Sequence, residues 1–215
     1  MNGSRPVKIS RERLSAAPST ILKRGRLVKA DVTLYQLPEC PVVVKDFAEK
    51  PLWVRLLGRL QIAREHRAYR HLGEIDGVPT FFDRIDADAI ALEWVDGDVM
   101  DDESATRAQY EQLVAITAAL HQRGVVHFDL RARRNLLAAR DGSFYVVDFG
   151  GAILIDRDGW LGRRLFPWLA TPDRSALLKW KRLWRAGALS AEEAQFEQRF
   201  ERWRRWWPFN RKRNR

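Results

Sequence analysis

Two neighbouring stretches constrain this chain more than any other feature: Val125-Val126-His127-Phe128-Asp129-Leu130-Arg131-Ala132-Arg133-Arg134-Asn135-Leu136-Leu137, and then Tyr145-Val146-Val147-Asp148-Phe149-Gly150. An apolar run delivers a His and an Asp into a polar loop. An Asn closes that loop before a second apolar run, and a third apolar run ends in Asp-Phe-Gly. A lone Asp at a strand end is ordinarily a turn residue or a helix cap. Three such groups at ordered spacing have a further use: one carboxylate can meet a hydroxyl proton while the Asn and the second carboxylate hold divalent metal against phosphates. The pattern implies a nucleotide-phosphate site, provided that the flanking chain supplies the rest.

These residues resemble the catalytic loop and metal motif of the protein-kinase-like superfamily. Within it they are most similar to the small bacterial branch that includes RIO-type kinases and the Kdo and heptose kinases of lipopolysaccharide core. The resemblance implies an α+β, bilobal fold, with a small antiparallel β-sheet and one helix in the N-lobe and a reduced, mainly helical C-lobe. It implies ATP and Mg²⁺ as cofactors. Asp129 would orient the acceptor hydroxyl and take its proton, Arg131 would face the transferring phosphate, and Asn135 and Asp148 would hold metal. The step from Asp129 to Asn135 is six residues, one longer than the family pattern, whereas the thirteen from Asn135 to Asp148 are usual. The extra residue therefore falls inside the loop.

Upstream, the order of elements matches that expectation. Residues 1–20 read as a flexible basic arm, with Gly3, Pro6, Ser10, Ser15, Pro18 and Ser19 scattered through them. β-Forming runs follow at Arg26–Val28, Val32–Leu37 and Val42–Phe47, a pattern for three short antiparallel strands. No Gly-x-Gly-x-x-Gly separates the first two, so backbone amides or Lys23, Arg24 and Lys29 would have to cover phosphates. Lys45 matches the family's strand-three lysine, which pairs with α- and β-phosphates. Taken alone it is an ordinary strand-end lysine. Its expected partner is Glu65, on a helix read over residues 52–72 with Leu56, Leu60, Ala63 and Leu72 at apolar positions; Glu74 lies past the stop at Gly73.

Strands are expected over Thr80–Ile85 and Ala89–Trp94. Leu92-Glu93-Trp94-Val95-Asp96-Gly97 resembles the hinge between the kinase lobes, where Glu93 and Val95 would meet adenine through main-chain atoms; a strand followed by an Asp-Gly turn is the plainer reading. From Asp102 to Arg123 a helix carries Tyr110, Leu113, Ile116, Thr117 and Leu120 on one face, and Gly124 stops it. His127 has no evident metal partner and reads as a structural histidine supporting the loop. Arg133 and Arg134 either grip an anionic acceptor or form a solvated basic loop.

Charge separates the end of the chain from the rest. After Gly150 there are 16 Lys and Arg against 7 Asp and Glu, whereas the first 150 residues hold 22 against 21. Seven of the nine Trp also lie in that end, which suggests an anionic partner. Helices are expected over Asp173–Ala186 and, behind a Ser190/Glu193 capping box, along Phe196, Phe200, Trp203 and Trp207. That aromatic stripe either faces a core or, with Trp206, Phe209 and Arg211–Arg215, meets an anionic membrane surface. No recognisable nucleic-acid module accompanies it, which argues against nucleic acid.

The chain thus reads as one kinase-like domain over 21–215, divided into an N-lobe of about 21–95 and a C-lobe of about 96–215 that ends in the basic, Trp-rich 173–215. The single Cys40 forms no internal disulfide, Met1–Gly25 lacks the apolar core of a signal peptide, and no run approaches the roughly 20 apolar residues of a membrane span. A cytoplasmic or peripheral location is expected. The resemblance implies phosphate transfer to a lipopolysaccharide-core sugar or another lipid-linked hydroxyl. A RIO-like Ser/Thr protein kinase, and a pseudokinase that binds nucleotide without transfer, are the alternatives.

Overall fold

The structure, a computed structural model, describes residues 8–205. Period-two alternation builds its sheet. Strands β1 (Ser19–Lys23), β2 (Asp31–Gln36) and β3 (Pro41–Asp46) form an antiparallel meander, and β4 (Phe81–Arg84) and β5 (Ala89–Glu93) complete five strands in the order β1-β2-β3-β5-β4. The alternation sorts side chains to two faces. Val42, Val44, Ala89 and Ala91 meet Ile9 and Leu14 on one side, while Ile90 and Leu92 join Phe47 in the main core on the other.

Two details differ from the sequence reading. The segment 8–20 is folded, not a free arm: Ser10 caps a short helix α1 (Arg11–Ser15), whose Leu14 is buried with Ile9 against the sheet, and Arg11 pairs with Asp46 and Asp86. Residues 1–7 of the expected arm lie outside the described residues. The first strand is Ser19–Lys23, and Arg26–Val28 instead belongs to the loop before β2, where Leu27 takes a left-handed backbone. Here β-propensity yields to the hairpin, which needs a turn at that point.

Helix α2 (Leu52–Leu72) spans the expected range and ends at Gly73, whose φ of 60° suits a residue without a side chain. Its buried side is Val54, Gly58, Ile62, Glu65, Ala68, Tyr69 and Leu72, so Leu56 and Leu60 point outward, contrary to the expected face. Asp88, in the β4–β5 turn, fixes the helix by accepting from Arg55 at 2.6 Å and Arg59 at 2.8 Å.

Beyond β5 come β6 (Gly97–Val99) and α3 (Arg107–Gln122). The helix starts later than Asp102 because Thr106 and Gln109 form a capping box, and it buries Leu113, Ile116, Thr117 and Leu120. After Gly124, β7 (Val125–Val126) leads into a loop that ends in a 3-10 turn at Arg133–Asn135, followed by β8 (Leu136–Ala139) and β9 (Phe144–Val146). Strands β6, β8 and β9 form one small sheet, and β7 pairs with β10 (Ile153–Leu154). Helices α4 (Trp160–Leu169), α5 (Thr171–Leu183) and α6 (Ala191–Arg205) complete the α+β arrangement.

The Ser190/Glu193 capping box forms, with both reciprocal hydrogen bonds. On α5, Trp180 is buried, as is Trp184 just after its end, and Phe200 of α6 is buried too, so this part of the aromatic end faces the core. The side chain of Trp203 and the whole of Trp206, Trp207, Phe209 and Arg211–Arg215 lie outside the described residues. Among the described residues no helix is long and apolar enough to cross a membrane.

Candidate active site

Four of the residues singled out in the sequence, Lys45, Glu65, Asp129 and Asp148, converge on one cavity of about 270 Å³. Lys23, Lys29, Lys45, Glu65, Asp129, Arg134 and Asp148 line it together with apolar and glycine positions. Lys45 reaches it because β3 runs through the middle of the sheet, and Glu65 because it lies on the buried side of α2. The Lys45 ammonium stands 2.6 Å from Glu65 Oε1 and 3.1 Å from Asp148 Oδ1. Glu65 also accepts from the backbone N–H of Phe149, which joins α2 to the Asp-Phe-Gly turn.

The charges in this cluster stabilise one another. Burial alone would lower the Lys45 pKa, but Glu65 and Asp148 outweigh it and hold the group protonated. Lys45 in turn draws the Asp148 carboxyl down to about 2, so it is ionised at neutral pH. Burial pushes the Glu65 carboxyl up against the pull of Lys45. Asp148 has φ 71°, a left-handed conformation unusual for a residue with a side chain, and Phe128, just before Asp129, has φ 66°. Both strained positions flank the groups that would act.

The longer loop closes on itself through its 3-10 turn. Asn135 Nδ2 donates to Asp129 O at 3.0 Å and to Asp129 Oδ2 at 3.1 Å, so the six-residue step still brings the amide and the carboxylate together. Arg134 donates to Asp129 Oδ2 at 2.7 Å. With its amide nitrogen engaged, Asn135 keeps its carbonyl oxygen as a possible ligand atom. Asp148 adds hard carboxylate oxygens of the kind Mg²⁺ prefers. Among the described residues no group of three or more His, Cys, Asp or Glu could hold a metal. An ion held by Asp148 and Asn135 alone would need phosphates and water to complete its shell, as is common for Mg²⁺.

Arg131 departs from expectation. It turns away from the cavity and donates to Ser175 O at 3.1 Å, to Ser175 Oγ at 2.5 Å and to Glu201 Oε1 at 2.8 Å, which ties the loop to α5 and α6. It is not among the residues that line the cavity. Arg133 pairs with Asp102 at 3.3 Å, so of the three arginines Arg134 lines the cavity. Lys23 and Lys29 also line it; burial, then Lys29 and Arg134, lower the Lys23 pKa, a sign of cations crowded without enough counter-charge. Glu93 and Val95 lie at the end of β5 and just after it and do not line this cavity. The Glu93 N–H is already given to Thr80 O at 2.9 Å. Glu93 borders a second, larger opening of about 1540 Å³.

Support for the loop comes from residues whose role the sequence did not disclose. Asp173 of α5, fully buried, accepts from the N–H of His127 at 2.8 Å and of Phe128 at 2.9 Å. Trp180 Nε1 donates to Leu130 O and Lys179 Nζ to Arg131 O, each at 2.8 Å. Above this base, the rings of His127, Phe149, Tyr69 and Phe81 form a continuous column, with centroid separations of 4.8, 5.1 and 5.9 Å. Burial lowers the His127 pKa, so the imidazole is neutral, as suits a packing histidine. Asp173 reads in sequence as a helix-start carboxylate after Pro172, and only the buried loop above it shows otherwise.

Compared with known families and curated proteins, the chain matches no family model and no curated sequence.

Proposed function

We propose that the protein is an ATP- and Mg²⁺-dependent phosphotransferase of protein-kinase-like, bilobal architecture, moving the γ-phosphate of ATP to a hydroxyl. The observation that carries this reading is the convergence of Lys45, Glu65, Asp148 and Asp129 on one cavity, with Asn135 buried behind it and hydrogen-bonded to Asp129. Each has a task. Lys45, held by Glu65, binds phosphate oxygens; Asp148 and Asn135 would hold Mg²⁺, which supplies charge neutralisation; Asp129 orients the acceptor hydroxyl and accepts its proton. Transfer through a loose transition state relies on such positioning and little else. Lys23, Lys29 and Arg134 supply the positive field that a glycine-rich loop would otherwise give through backbone amides. The adenine contact that the resemblance implies at Glu93 and Val95 lies outside this cavity, so the reading rests on the phosphate end of the site. The acceptor class we favour is a Kdo- or heptose-like core sugar or another lipid-linked hydroxyl at the cytoplasmic membrane face.

The test is label transfer from γ-labelled ATP with Mg²⁺ to a lipopolysaccharide-core acceptor, with a Ser/Thr protein acceptor in parallel. Asp129→Ala and Asp148→Ala are each expected to lower transfer ~100-fold or more. Equal transfer by both variants and the parent would sink the assignment. Two contacts favour a second reading, nucleotide binding without transfer: Arg134 and Asn135 both donate to Asp129 Oδ2. ATP binding by calorimetry with no transfer to either acceptor would support it.

A further inference from the structure

Five large apolar side chains, Leu52, Trp53, Leu56, Leu57 and Leu60, stand exposed on the outer side of α2, with Trp53 at 58%. The inner side of the helix already fills the core, and this second apolar stripe is packed into none of the core clusters among the described residues. Alongside it runs the loop before β2. Lys50 Nζ donates to Gly25 O at 3.0 Å, and Gln61 Nε2 donates to Val28 O at 3.2 Å, so the loop follows the helix from its start to its third turn. Leu27, in this loop, is 83% exposed with φ 51°. Among the described residues this leucine, held in solvent on a left-handed backbone, joins no core cluster. A contiguous apolar area of this kind marks an interaction surface.

Its charge indicates the occupant. Within α2 the one acidic residue is Glu65, which is buried, while Arg64 and Arg67 are exposed. Residues 24–30 add Arg24, Arg26 and Lys29 and contain no Asp or Glu. Of the carboxylates bordering these segments, Asp31 pairs with Lys50 and Asp88 with Arg55 and Arg59, and Glu49 is exposed before the helix, so cations remain in excess. Apolar side chains bordered by such an excess match the boundary of a bilayer, where Leu and Trp enter the acyl edge and Arg and Lys meet phosphate headgroups. We propose that the outer face of α2, with the 24–30 loop, is a docking surface for an anionic lipid bilayer. Lys29, Ala30, Gln61 and Ile62 of the same two segments also line the cavity that holds Asp129 and Asp148, so docking brings that cavity to the headgroups. In this the inference rests on the phosphotransfer reading, for which it selects a lipid-linked hydroxyl over a soluble one; the docking does not need that reading.

The experiment is co-sedimentation of the full chain, without nucleotide, with vesicles of phosphatidylglycerol and phosphatidylcholine in equal parts, and with phosphatidylcholine alone. The protein is expected to pellet with the mixed vesicles only, and the double variant Leu27→Asp/Leu57→Asp to lower the bound fraction about tenfold or more. Both side chains are exposed, so the thermal midpoint should hold. Should it fall, Leu27→Asp alone, in the loop, gives the same comparison. Unchanged binding by the variants, or equal binding to neutral vesicles, would overturn the proposal. A parent dimer that the double variant dissociates in light scattering would assign the face to a second copy and overturn it too. Because neither ATP nor acceptor is present, failure of the transfer assay leaves this result untouched.

Discussion

At the scale of single residues, the candidate site is a balance of charges in which some cations have carboxylate partners and others do not. Lys45 is matched by Glu65 and Asp148, whereas Lys23 and Lys29 line the same cavity and form no ion pair among the described residues; burial first, then Lys29 and Arg134, lower the Lys23 pKa. On the phosphotransfer reading these two serve the nucleotide rather than the fold. Lys23→Ala with Lys29→Ala should therefore raise the ATP Kd about tenfold in calorimetry while leaving the urea midpoint unchanged. Tyr69 is the reverse case. Its hydroxyl is buried with no hydrogen-bond partner among the described residues, although its ring is central to the aromatic column. Tyr69→Phe keeps the ring and removes the unmatched group, and should stabilise the protein by about 1 kcal/mol in urea unfolding. The grouping of Lys45 with Glu65 and Asp148, and of Asn135 with Asp129, was expected from the resemblance to the kinase-like pattern; Lys45 alone reads as an ordinary strand-end lysine. The direction of Arg131 was not legible in the sequence, because it depends on Ser175 and Glu201, more than forty residues away in the chain.

At the scale of elements, α2 matters most, since it carries Glu65 and borders both the sheet and the Asp-Phe-Gly turn. Its approach to β3 is set by Gly58: a Cβ there would come within 3 Å of the Phe47 ring. Gly58→Ala should lower stability by about 1–3 kcal/mol, despite the better helix propensity of Ala, because the ring has to move. The helix start is held by Asp88, whose carboxyl Arg59 and Arg55, against the opposing effect of burial, draw down to about 2 from its ordinary 3.8. The sign follows from linkage. As pH falls the unfolded chain takes up this proton first, so the stabilisation is complete above about pH 5 and fades on acidification through about pH 2. Asp88→Asn should cost roughly 2 kcal/mol at pH 7 and less at pH 3, as measured by urea unfolding at the two values. The extent of α2 could be read from its composition and from Gly73. Its buried face could not, because apolar residues occupy both sides of its first half and periodicity alone does not say which side meets the sheet.

At the scale of the whole molecule, the sheet and the C-terminal helices meet through the loop between them. Glu65, Lys45 and Phe149 bind the Asp-Phe-Gly turn to the sheet side, while Asp173, Trp180 and Lys179 bind the His127–Arg131 segment to α5. The sequence made the central loop recognisable but left its foundation obscure, since a buried carboxylate accepting backbone N–H groups looks like any helix-start Asp until the chain is folded. Among the described residues Asp173 has no Lys or Arg partner; His121 Nε2 lies 3.1 Å away, and the carboxylate accepts from the N–H groups of His127 and Phe128, which offset its burial. Asp173→Asn keeps the size but replaces one acceptor oxygen with a donor that faces another N–H or His121. The expected outcome is local: amide exchange at His127 and Phe128 should rise about tenfold or more in hydrogen–deuterium exchange, with the amides of β2 and β3 unchanged. Equal loosening of the sheet would mean that Asp173 supports the fold as a whole, and that the loop is not held by α5 in particular.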